Sequence, residues 1–397
     1  MIEELTEIPE GVEDVIYLDN AATVYPKPKA VLDAMIDLYR RFGVNPGRSG
    51  YDLCVVGGNF VDETRRRLTE FFGGDDPSRL CFAYNASDAL NILIFGLVNE
   101  GDHVISTVLE HNSVLRPLNH LKRDKGVEVD LLEPGPDWRI SPERVAAAIK
   151  KNTKLVAINH GSNVIGIIQP VAEIGRICRE KGVTFLIDTA QTAGMVPINM
   201  KEMNIDALAF TGHKSLLGPT GIGGLCVRED LEVRHTRAGG TGVKSAYPYH
   251  LEEYPYRLEV GTGNFLGIAG LLEAQKYLAR KGVENIYHHE MELFTRLEDG
   301  LSRIKGLTLH GPKGSEHRLP VLSFTLEAQD PADTGTMLDV DHSIATRTGL
   351  QCAPLVHDHL GTSPRGTVRM SIGPGNKAED IEAAIRAVES IAAGVRT

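Results

Sequence analysis

A lysine in the segment TGHKSLLGPTGIGGL lies where it can hold an aldehyde covalently. Lys214 follows an apolar run that predicts a β-strand, and it precedes a loop punctuated by Gly and Pro. An amine attacks an aldehyde only when it is partly deprotonated, which desolvation or a neighbouring cation can bring about. Taken alone, Lys214 has the ordinary alternative of a solvated surface lysine, because most lysines are exposed.

A carboxylate follows another apolar strand, in the segment FLIDTAQ. Asp188 is at the carboxyl end of this strand, where the ligands of open α/β sheets bind. A carboxylate there can pair with a protonated pyridine nitrogen and keep the ring an electron sink. Asp188 is equally compatible with a helix N-cap. Gln191 can donate to a phenolic oxygen or complete a capping interaction.

Two further segments can hold a phosphate and stack on a ring. Ala86 and Ser87 open a helix after the strand LCFA, and the free N–H groups of a helix N-terminus bind phosphate, although such junctions are also common as plain structure. His111 follows the strand HVIS and can lie flat on an aromatic cofactor; its alternative is an ordinary polar loop residue. All these residues fall at carboxyl ends of predicted strands, which favours one pyridoxal-phosphate site at one sheet edge.

The elements that must position these side chains alternate along the chain. Apolar runs predict strands at residues 80–83, 103–106, 154–159, 183–188, 206–210 and 221–227. Helical periodicity predicts helices at residues 29–42, 88–98, 114–123, 142–150 and 171–181. This alternation predicts an α/β fold with three layers, in which a mostly parallel sheet is covered on both faces.

The pattern changes after about residue 243, where an irregular stretch precedes a long helical segment at about 265–304. Strands at LTLHG and LPVLSFTL and a helix after Ala378 follow. We predict a large cofactor-binding domain over residues 18–262. Residues 1–17 and 263–397 are predicted to form a smaller α+β domain, packed closely against the first because no flexible linker separates them.

Composition excludes several classes of protein. The 397 residues carry a net charge of −11, which disfavours binding to nucleic acid. The N-terminal segment has no basic region followed by an apolar run. No window of the sequence has about 18 uninterrupted apolar residues, the length that a membrane helix needs. Its 5 cysteines are scattered without a CxxC pair, so we expect reduced thiols, no metal site and a cytoplasmic protein without a membrane partner.

Beyond these single sites, the chain resembles the class V aminotransferases of fold type I, and most closely their cysteine desulfurase and selenocysteine lyase branch. The match runs nearly from end to end. The segments that carry it are YLDNAAT (17–23), NPGRSGYDL (45–53), LEHNSVL (109–115), SNVIG (162–166), DTAQ (188–191), TGHKSLLGPTGIG (211–223), EVGTGN (259–264), TRTGLQC (346–352) and GTVRMSIGPGN (366–376). The resemblance implies the cofactor pyridoxal 5'-phosphate.

For the ring of this cofactor, the resemblance implies roles for five residues. Lys214 would carry the cofactor as a Schiff base, Asp188 would pair with the pyridine nitrogen, and His111 would stack on the ring. Asn163 and Gln191 would flank the phenolic oxygen.

For the phosphate, the resemblance implies contacts from both subunits of a homodimer. Ala86, Ser87, Thr211 and His213 would hold it from one subunit. Thr262 in EVGTGN would reach the same phosphate from the partner subunit, so each active site would be composite.

Cys352 aligns with the persulfide-forming cysteine of the family. A buried inert thiol is the ordinary alternative for a lone cysteine. Gly349 and Pro354 predict a loop around it, and Arg347 and His357 are cations that can favour a thiolate if they lie close in space.

Arg369 in GTVRMS would clamp the substrate carboxylate, which suits the guanidinium fork; its alternative is a surface-paired arginine. Arg347 and Asn163 are further candidates for substrate contact, and Arg48 would face the mouth of the site. Two features depart from the family pattern. Leu350 and Gln351 replace a His pair that often precedes the cysteine, and NPGRSG lacks the usual His before its Arg.

The function implied is a cysteine desulfurase, which converts L-cysteine to L-alanine with a persulfide on Cys352. Selenocysteine lyase, another C–S lyase or a transaminase on the same scaffold are the alternatives, because the cofactor residues are shared. A sulfur-acceptor protein, including one in iron–sulfur cluster assembly, is the partner this function implies. A scaffold without turnover would need a broken set of catalytic residues, and Lys214, Cys352 and His111 are all in place.

Overall fold

The structure is a computed structural model that describes residues 15–47 and 49–394 of the chain. Its strands are β1 (Ile16–Tyr17), β2 (Leu80–Ala83), β3 (His103–Thr107), β4 (Glu128–Leu132), β5 (Thr153–Asn159), β6 (Thr184–Asp188), β7 (Ala207–Thr211), β8 (Gly223–Val227), β9 (Leu307–His310), β10 (Val321–Leu326), β11 (Ile344–Ala345), β12 (Arg347–Gly349) and β13 (Thr367–Ser371). Its helices are α1 (Lys29–Phe42), α2 (Asp52–Phe71), α3 (Ala86–Leu97), α4 (Asn112–Lys125), α5 (Pro142–Ala148), α6 (Val171–Lys181), α7 (Phe265–Lys281), α8 (Val283–Leu301), α9 (Pro331–His342), α10 (Pro354–Leu360) and α11 (Ala378–Ala392).

The largest sheet has seven strands in the order β2-β8-β7-β6-β5-β3-β4. Only β8 runs antiparallel to its neighbours, so the predicted mostly parallel α/β sheet is confirmed. All six predicted strands are present. The sequence prediction missed β4 because this edge strand is largely solvated and has no continuous apolar run.

Alternate residues of the central strands pack on opposite faces of this sheet, as the pleat requires. Leu208 and Phe210 join a core with side chains from α5, α6 and α7. Ala207 and Ala209 join a second core with α3 and α4 on the other face. The three-layer arrangement therefore follows from apolar strands that bury both faces.

A second, four-stranded antiparallel sheet has the order β12-β13-β10-β9. Side chains of α8, α9 and α11 cover it with a core of its own. The predicted helical segment at about 265–304 is broken at Gly282, whose φ of 81° lies in the left-handed region. The first half, α7, packs against α1 and α2 on the large sheet. The domain boundary between residues 262 and 263 stays a prediction.

The parallel direction of five strands decides where the site forms. The carboxyl ends of β2, β3, β5, β6 and β7 all meet at one edge of the large sheet. Within the two described ranges, no helix combines the length and apolar character needed to cross a membrane.

Candidate active site

Lys214 lies in the tight loop that follows β7. The N–H of Gly212 donates to the carbonyl of Ile222 (2.9 Å) and the N–H of Gly218 donates to the carbonyl of Gly212 (2.8 Å), so the loop folds back on β8. Lys27 donates from its Nζ to the carbonyl of His213, the residue before Lys214. Burial lowers the pKa of Lys214 to about 8, although the charge of Asp188 opposes this shift. The amine is therefore prepared for attack on a carbonyl carbon.

Asp188 is the last residue of β6 and is buried. One carboxylate oxygen accepts from the N–H of Ala190 (2.8 Å). Burial raises the pKa of Asp188, whereas Ala190 and the positive charge of Lys214 lower it. A buried carboxylate with so few partners suits a cationic N–H donor such as a pyridinium. Gln191 is buried beside it and donates from Nε2 to the carbonyl of Ala21 (3.0 Å).

Two of the four phosphate-binding candidates, Ala86 and Ser87, open α3. Asn85 caps this helix by accepting from the N–H of Asp88 (3.0 Å), and Ser87 Oγ lies 2.5 Å from Ser113 Oγ. Across the sheet edge, Thr211 Oγ1 and His213 Nδ1 are buried without a hydrogen-bond partner among the described residues. A buried polar atom left unpaired costs about 1–3 kcal/mol. A phosphate group would supply the missing partners, so these residues fit the cofactor that the sequence predicted.

His111 stands at the N-cap of α4, where its Nδ1 accepts from the N–H of Ser113 (3.0 Å). Burial and the nearby positive charges, Lys214 first among them, lower the pKa of His111 to about 4. The imidazole is therefore neutral at physiological pH. A neutral flat ring can lie against a cationic pyridine without repulsion.

Arg369 is buried in β13 and is held from two sides. Its guanidinium donates to the carbonyl of Asn163 (3.0 Å) and to the carboxylate of Asp19 (2.5 Å). Its Nε is buried without a partner among the described residues. Arg347 lies opposite Arg369 in the β12–β13 register, so two cations share this corner of the site.

Cys352 lies in the loop between β12 and α10, and the predicted loop is confirmed. Cys352 is exposed, and a thiolate there would raise the pKa of Lys214, whereas the positive charge of Arg369 lowers it. The Cys352 carbonyl accepts from the N–H of Asn112 (2.7 Å), which adjoins His111. The backbone of the Cys352 loop is therefore attached to the start of α4, next to His111.

His357 does not act as the cation that the sequence predicted. It is buried, its Nε2 lies 2.7 Å from Gln351 Oε1, and its Nδ1 lies 2.9 Å from Thr362 Oγ1. Burial lowers the pKa of His357 to about 4, so the ring is neutral. The prediction that His357 favours a thiolate on Cys352 is wrong, because the helix that carries it buries the imidazole.

Thr262 lies apart from the other predicted contacts. It is exposed in the loop before α7 and lines a cavity of about 680 Å³. Among the described residues that line this cavity, Lys214 is not found. Glu259 fixes the loop by pairing with Arg65 (2.7 Å) and accepting from the N–H of Phe82 (2.7 Å). Arg48 lies outside the described residues.

Sequence reasoning missed two acidic residues of the site. Asp19, the partner of Arg369, stands inside the YLDNAAT segment, but only the fold brings it to β13. Glu110, the residue before His111, is buried and accepts from Thr107 Oγ1 (2.7 Å) and the N–H of Asn159 (3.0 Å). Burial raises the pKa of Glu110 to about 8. The signal available in the sequence was an acidic residue, Glu110, directly after the apolar end of a strand and next to His111.

One cluster elsewhere has metal-binding residue types. His103, Glu128 and Asp130 lie together at the opposite end of β3 and β4. The ammonium of Lys150 is 2.5 Å from Glu128 and 2.9 Å from Asp130. These ion pairs account for the cluster without a metal.

Comparison with known proteins places this geometry in a family. Residues 16–384 match the model of the family described as "Aminotransferase class-V". The chain belongs to this family. A "Probable cysteine desulfurase" from Pyrococcus abyssi is 32% identical, with 98% of this chain and 99% of that protein covered.

One further relative and one solved structure are also named as cysteine desulfurases. A "Probable cysteine desulfurase" from Methanothermobacter thermautotrophicus is 33% identical over 96% of each chain. The solved apo structure of the cysteine desulfurase from Thermococcus onnurineus is 34% identical, covers 98% of this chain and 99% of its own, and superposes with a TM-score of 0.90. The predicted resemblance and the fold-type I architecture are confirmed, and membership of this family implies pyridoxal phosphate.

Proposed function

We propose that this class V family member is a pyridoxal-phosphate-dependent cysteine desulfurase, which converts L-cysteine to L-alanine and leaves a persulfide on Cys352. The observation that carries the proposal is the position of the Cys352 loop. Its backbone is hydrogen-bonded to Asn112 and Asn163 at the edge that also holds Lys214. A transaminase needs the lysine and the arginine but has no use for an exposed thiol at that place.

The residues that would hold the cofactor are those found at the sheet edge. Lys214 would attach it covalently, and Asp188 would pair with its ring nitrogen. The phosphate would take hydrogen bonds at Thr211, His213 and the first turn of α3, where Ala86 and Ser87 lie, with His111, Asn163 and Gln191 around the ring. When bound, pyridoxal phosphate supplies an electron-withdrawing ring that makes the Cα–H and Cβ–S bonds of an amino acid labile.

The substrate carboxylate would bind at Arg369, whose free Nε faces no other acceptor among the described residues. Asp19 and the carbonyl of Asn163 hold the guanidinium in place. Arg347 adds positive charge beside it, and Arg48 is a further candidate outside the described residues. Lys214, with its pKa near 8, can hold or release a proton at Nζ close to neutral pH.

Cys352 then takes the sulfur. Its Sγ attacks the sulfur of the substrate, an S–S bond forms, and the Cβ–S bond of the substrate breaks. The bonding pair stays on the substrate carbon, which gains a proton and becomes the methyl group of alanine. Both sulfur atoms are oxidised as the carbon is reduced, so cysteine and a thiol give alanine and a persulfide without an external oxidant.

The test is turnover of L-cysteine by cofactor-supplemented protein, with alanine and sulfide measured in the presence of a thiol reductant. We expect wild type to release both in equal amounts. Cys352→Ser should abolish sulfide release while the cofactor stays bound at Lys214, and peptide mass analysis should find an added sulfur only on Cys352. A keto acid in place of alanine would support transamination, and turnover of selenocysteine alone would support a selenocysteine lyase.

Cys178→Ala is the matched control. This thiol is buried in α6, where burial raises its pKa to about 12, so it is a poor nucleophile. We expect Cys178→Ala to keep wild-type turnover. Full turnover by Cys352→Ser would refute the assignment of the nucleophile.

The proposal extends to the assembly and to the setting in which the protein acts. We propose a homodimer in which Thr262 completes the partner's phosphate site, supported by its exposed position in a cavity separate from Lys214. The persulfide would pass to an acceptor protein, including one in iron–sulfur cluster assembly. A catalytic cysteine must stay reduced between turnovers, which favours the cytoplasm.

A further inference from the structure

Gln351 is buried although it lies in a loop and precedes an exposed cysteine. Only 6% of its surface is exposed. Its Nε2 donates to the carbonyl of Thr367 (2.9 Å), and its Oε1 lies 2.7 Å from His357 Nε2. Because the Thr367 carbonyl only accepts, the amide orientation is fixed, and Nε2 of His357 must carry the proton that it donates to Gln351. Thr362 Oγ1 then donates to Nδ1 of the same ring (2.9 Å).

The backbone that this side chain supports is in an unfavourable conformation. Gln351 has a φ of 40° and Cys352 a φ of 59°, in the left-handed region that favours glycine. Such a backbone conformation persists only where contacts with the surrounding structure hold it in place. The loop satisfies this condition, because the two carbonyls of Gln351 and Cys352 accept hydrogen bonds from Asn163 Nδ2 and the Asn112 N–H (both 2.7 Å).

The anchors of Gln351 belong to both sheets. Its backbone is attached to Asn163 beyond the carboxyl end of β5 in the large sheet. Its side chain is attached to Thr367, the first residue of β13 in the second sheet. Thr367 and Arg369 are two residues apart on one strand, so the same strand that would hold the substrate carboxylate also holds the loop.

We propose that Gln351 is a positioning residue: with His357 and Thr367 it forms a loop clamp that locks the Cys352 thiol at a fixed distance from Lys214 and Arg369. The inference rests on the proposed desulfurase function. It gives a role to the residue that stands where the family often has the second histidine of a pair. Gln351 touches no reacting atom and acts through the conformation of Cys352.

Gln351→Met tests the clamp, because methionine matches the length of glutamine but makes none of its side-chain hydrogen bonds to Thr367 and His357. We expect kcat for cysteine desulfuration by the holoenzyme to fall about 10- to 100-fold, the range that a misplaced reacting group costs. The KM for cysteine should stay unchanged, since Arg369 and Lys214 are untouched. Amide hydrogen exchange should accelerate in peptides covering residues 349–353 and not in those covering residues 207–214.

Gln275→Met is the matched control, since Gln275 is a buried glutamine in α7 away from the loop. It should change neither kcat nor exchange in residues 349–353. Gln351→Glu is the second variant if the methionine variant does not fold, because it keeps the acceptor for His357, while its carboxylate cannot donate to the carbonyl of Thr367. It should change kcat and exchange in the same direction.

Wild-type kcat or wild-type loop exchange in a folded Gln351 variant would overturn the clamp, as would an equal loss in Gln275→Met. The hydrogen-exchange measurement needs no turnover. If wild-type protein made no alanine from cysteine, the proposed function would fail, while the exchange result would still decide whether Gln351 holds the loop.

Discussion

At the scale of single residues, the charges of Lys214 and Asp188 shift each other's pKa. Burial lowers the pKa of Lys214 to about 8, and the negative charge of Asp188 is the main effect that opposes this shift. Burial raises the pKa of Asp188, and the ammonium of Lys214 works against that. Each group thus favours the charged form of the other, which is the form of Asp188 that pairs with a pyridinium.

This coupling predicts how cofactor attachment depends on pH. The amine must be neutral to attack, so the attachment rate in excess pyridoxal phosphate should rise with pH and level off above about pH 8. Below that value it should fall about tenfold per pH unit. Absorbance of the lysine adduct, measured from about pH 6 to pH 10, checks this expectation. A rate that still rose tenfold between about pH 9 and pH 10 would contradict the lowered pKa.

Asp188→Asn provides the matching variant for this measurement. Removal of the carboxylate removes the attraction that raises the pKa of Lys214, so the midpoint should move to lower pH. Asp339→Asn, on the exposed side of α9, should leave the midpoint in place. Turnover of cysteine by Asp188→Asn should fall about 100-fold or more, because the ring loses its charge partner.

At the element scale, the start of α3 depends on close contact with β8. A Cβ on Gly223 would lie 2.5 Å from the carbonyl of Phe210 and 2.8 Å from Cα of Asn85. Both neighbours are backbone atoms and cannot turn aside. Asn85 is the N-cap of α3, so the absence of a side chain on Gly223 lets the helix N-terminus sit directly over the end of the sheet.

Gly223→Ala should therefore affect stability and cofactor binding together. We expect a loss of about 1–3 kcal/mol in the free energy of unfolding, as for other over-packed sites. The displaced start of α3 should also weaken pyridoxal-phosphate binding. Urea unfolding and an equilibrium cofactor titration measure the two effects.

Gly240→Ala is the control for this glycine, because an added Cβ there meets nothing within 4 Å. It should leave both quantities near wild type. Normal cofactor affinity in a destabilised Gly223→Ala protein would contradict the prediction, because it would show that the phosphate site does not depend on the packing of α3 against β8.

At the scale of the whole molecule, an apolar surface adjoins the loop that carries Thr262. Tyr39 of α1 is about half exposed, at 46%, and its ring packs against Phe265, three residues after Thr262. Ile36 on the same helix is exposed to a similar degree. Exposed apolar side chains beside the Thr262 loop are what a subunit interface would cover.

The proposed homodimer predicts complementation between two defective variants. Lys214→Ala should be inactive, and Thr262→Ala should bind the cofactor weakly. After mixing and exchange of subunits, each mixed dimer would have one complete site. That site would combine Lys214 of the Thr262→Ala subunit with Thr262 of the Lys214→Ala subunit. We expect activity above the sum of the two separate samples at limiting cofactor, and a dimer mass by light scattering. A monomer, or strictly additive activity, would exclude a shared site.

Much of the site could be predicted because its residues lie at the ends of strands that are recognisable in the sequence as apolar runs. Lys214, Asp188 and His111 each come after a buried apolar run, and parallel strands bring their carboxyl ends to one edge. Six of the seven strands of the large sheet and most helices could be predicted from the same apolar patterns, whereas the class V family was predicted from the resemblance of the motifs. The edge strand β4 was missed because it is largely solvated and has no continuous apolar run. The break at Gly282 was missed because helical periodicity continues on both sides of it.

The sequence by itself determined which chemistry this protein can do, since residue types and their order are local properties of the chain. Only the tertiary structure decided how the groups act on each other. Burial made His357 neutral rather than cationic, joined Asp19 to Arg369 across 350 residues of sequence, and turned Gln351 inward beneath the cysteine. Charge state and distance depend on what packs around a side chain, and packing is settled only when remote segments meet.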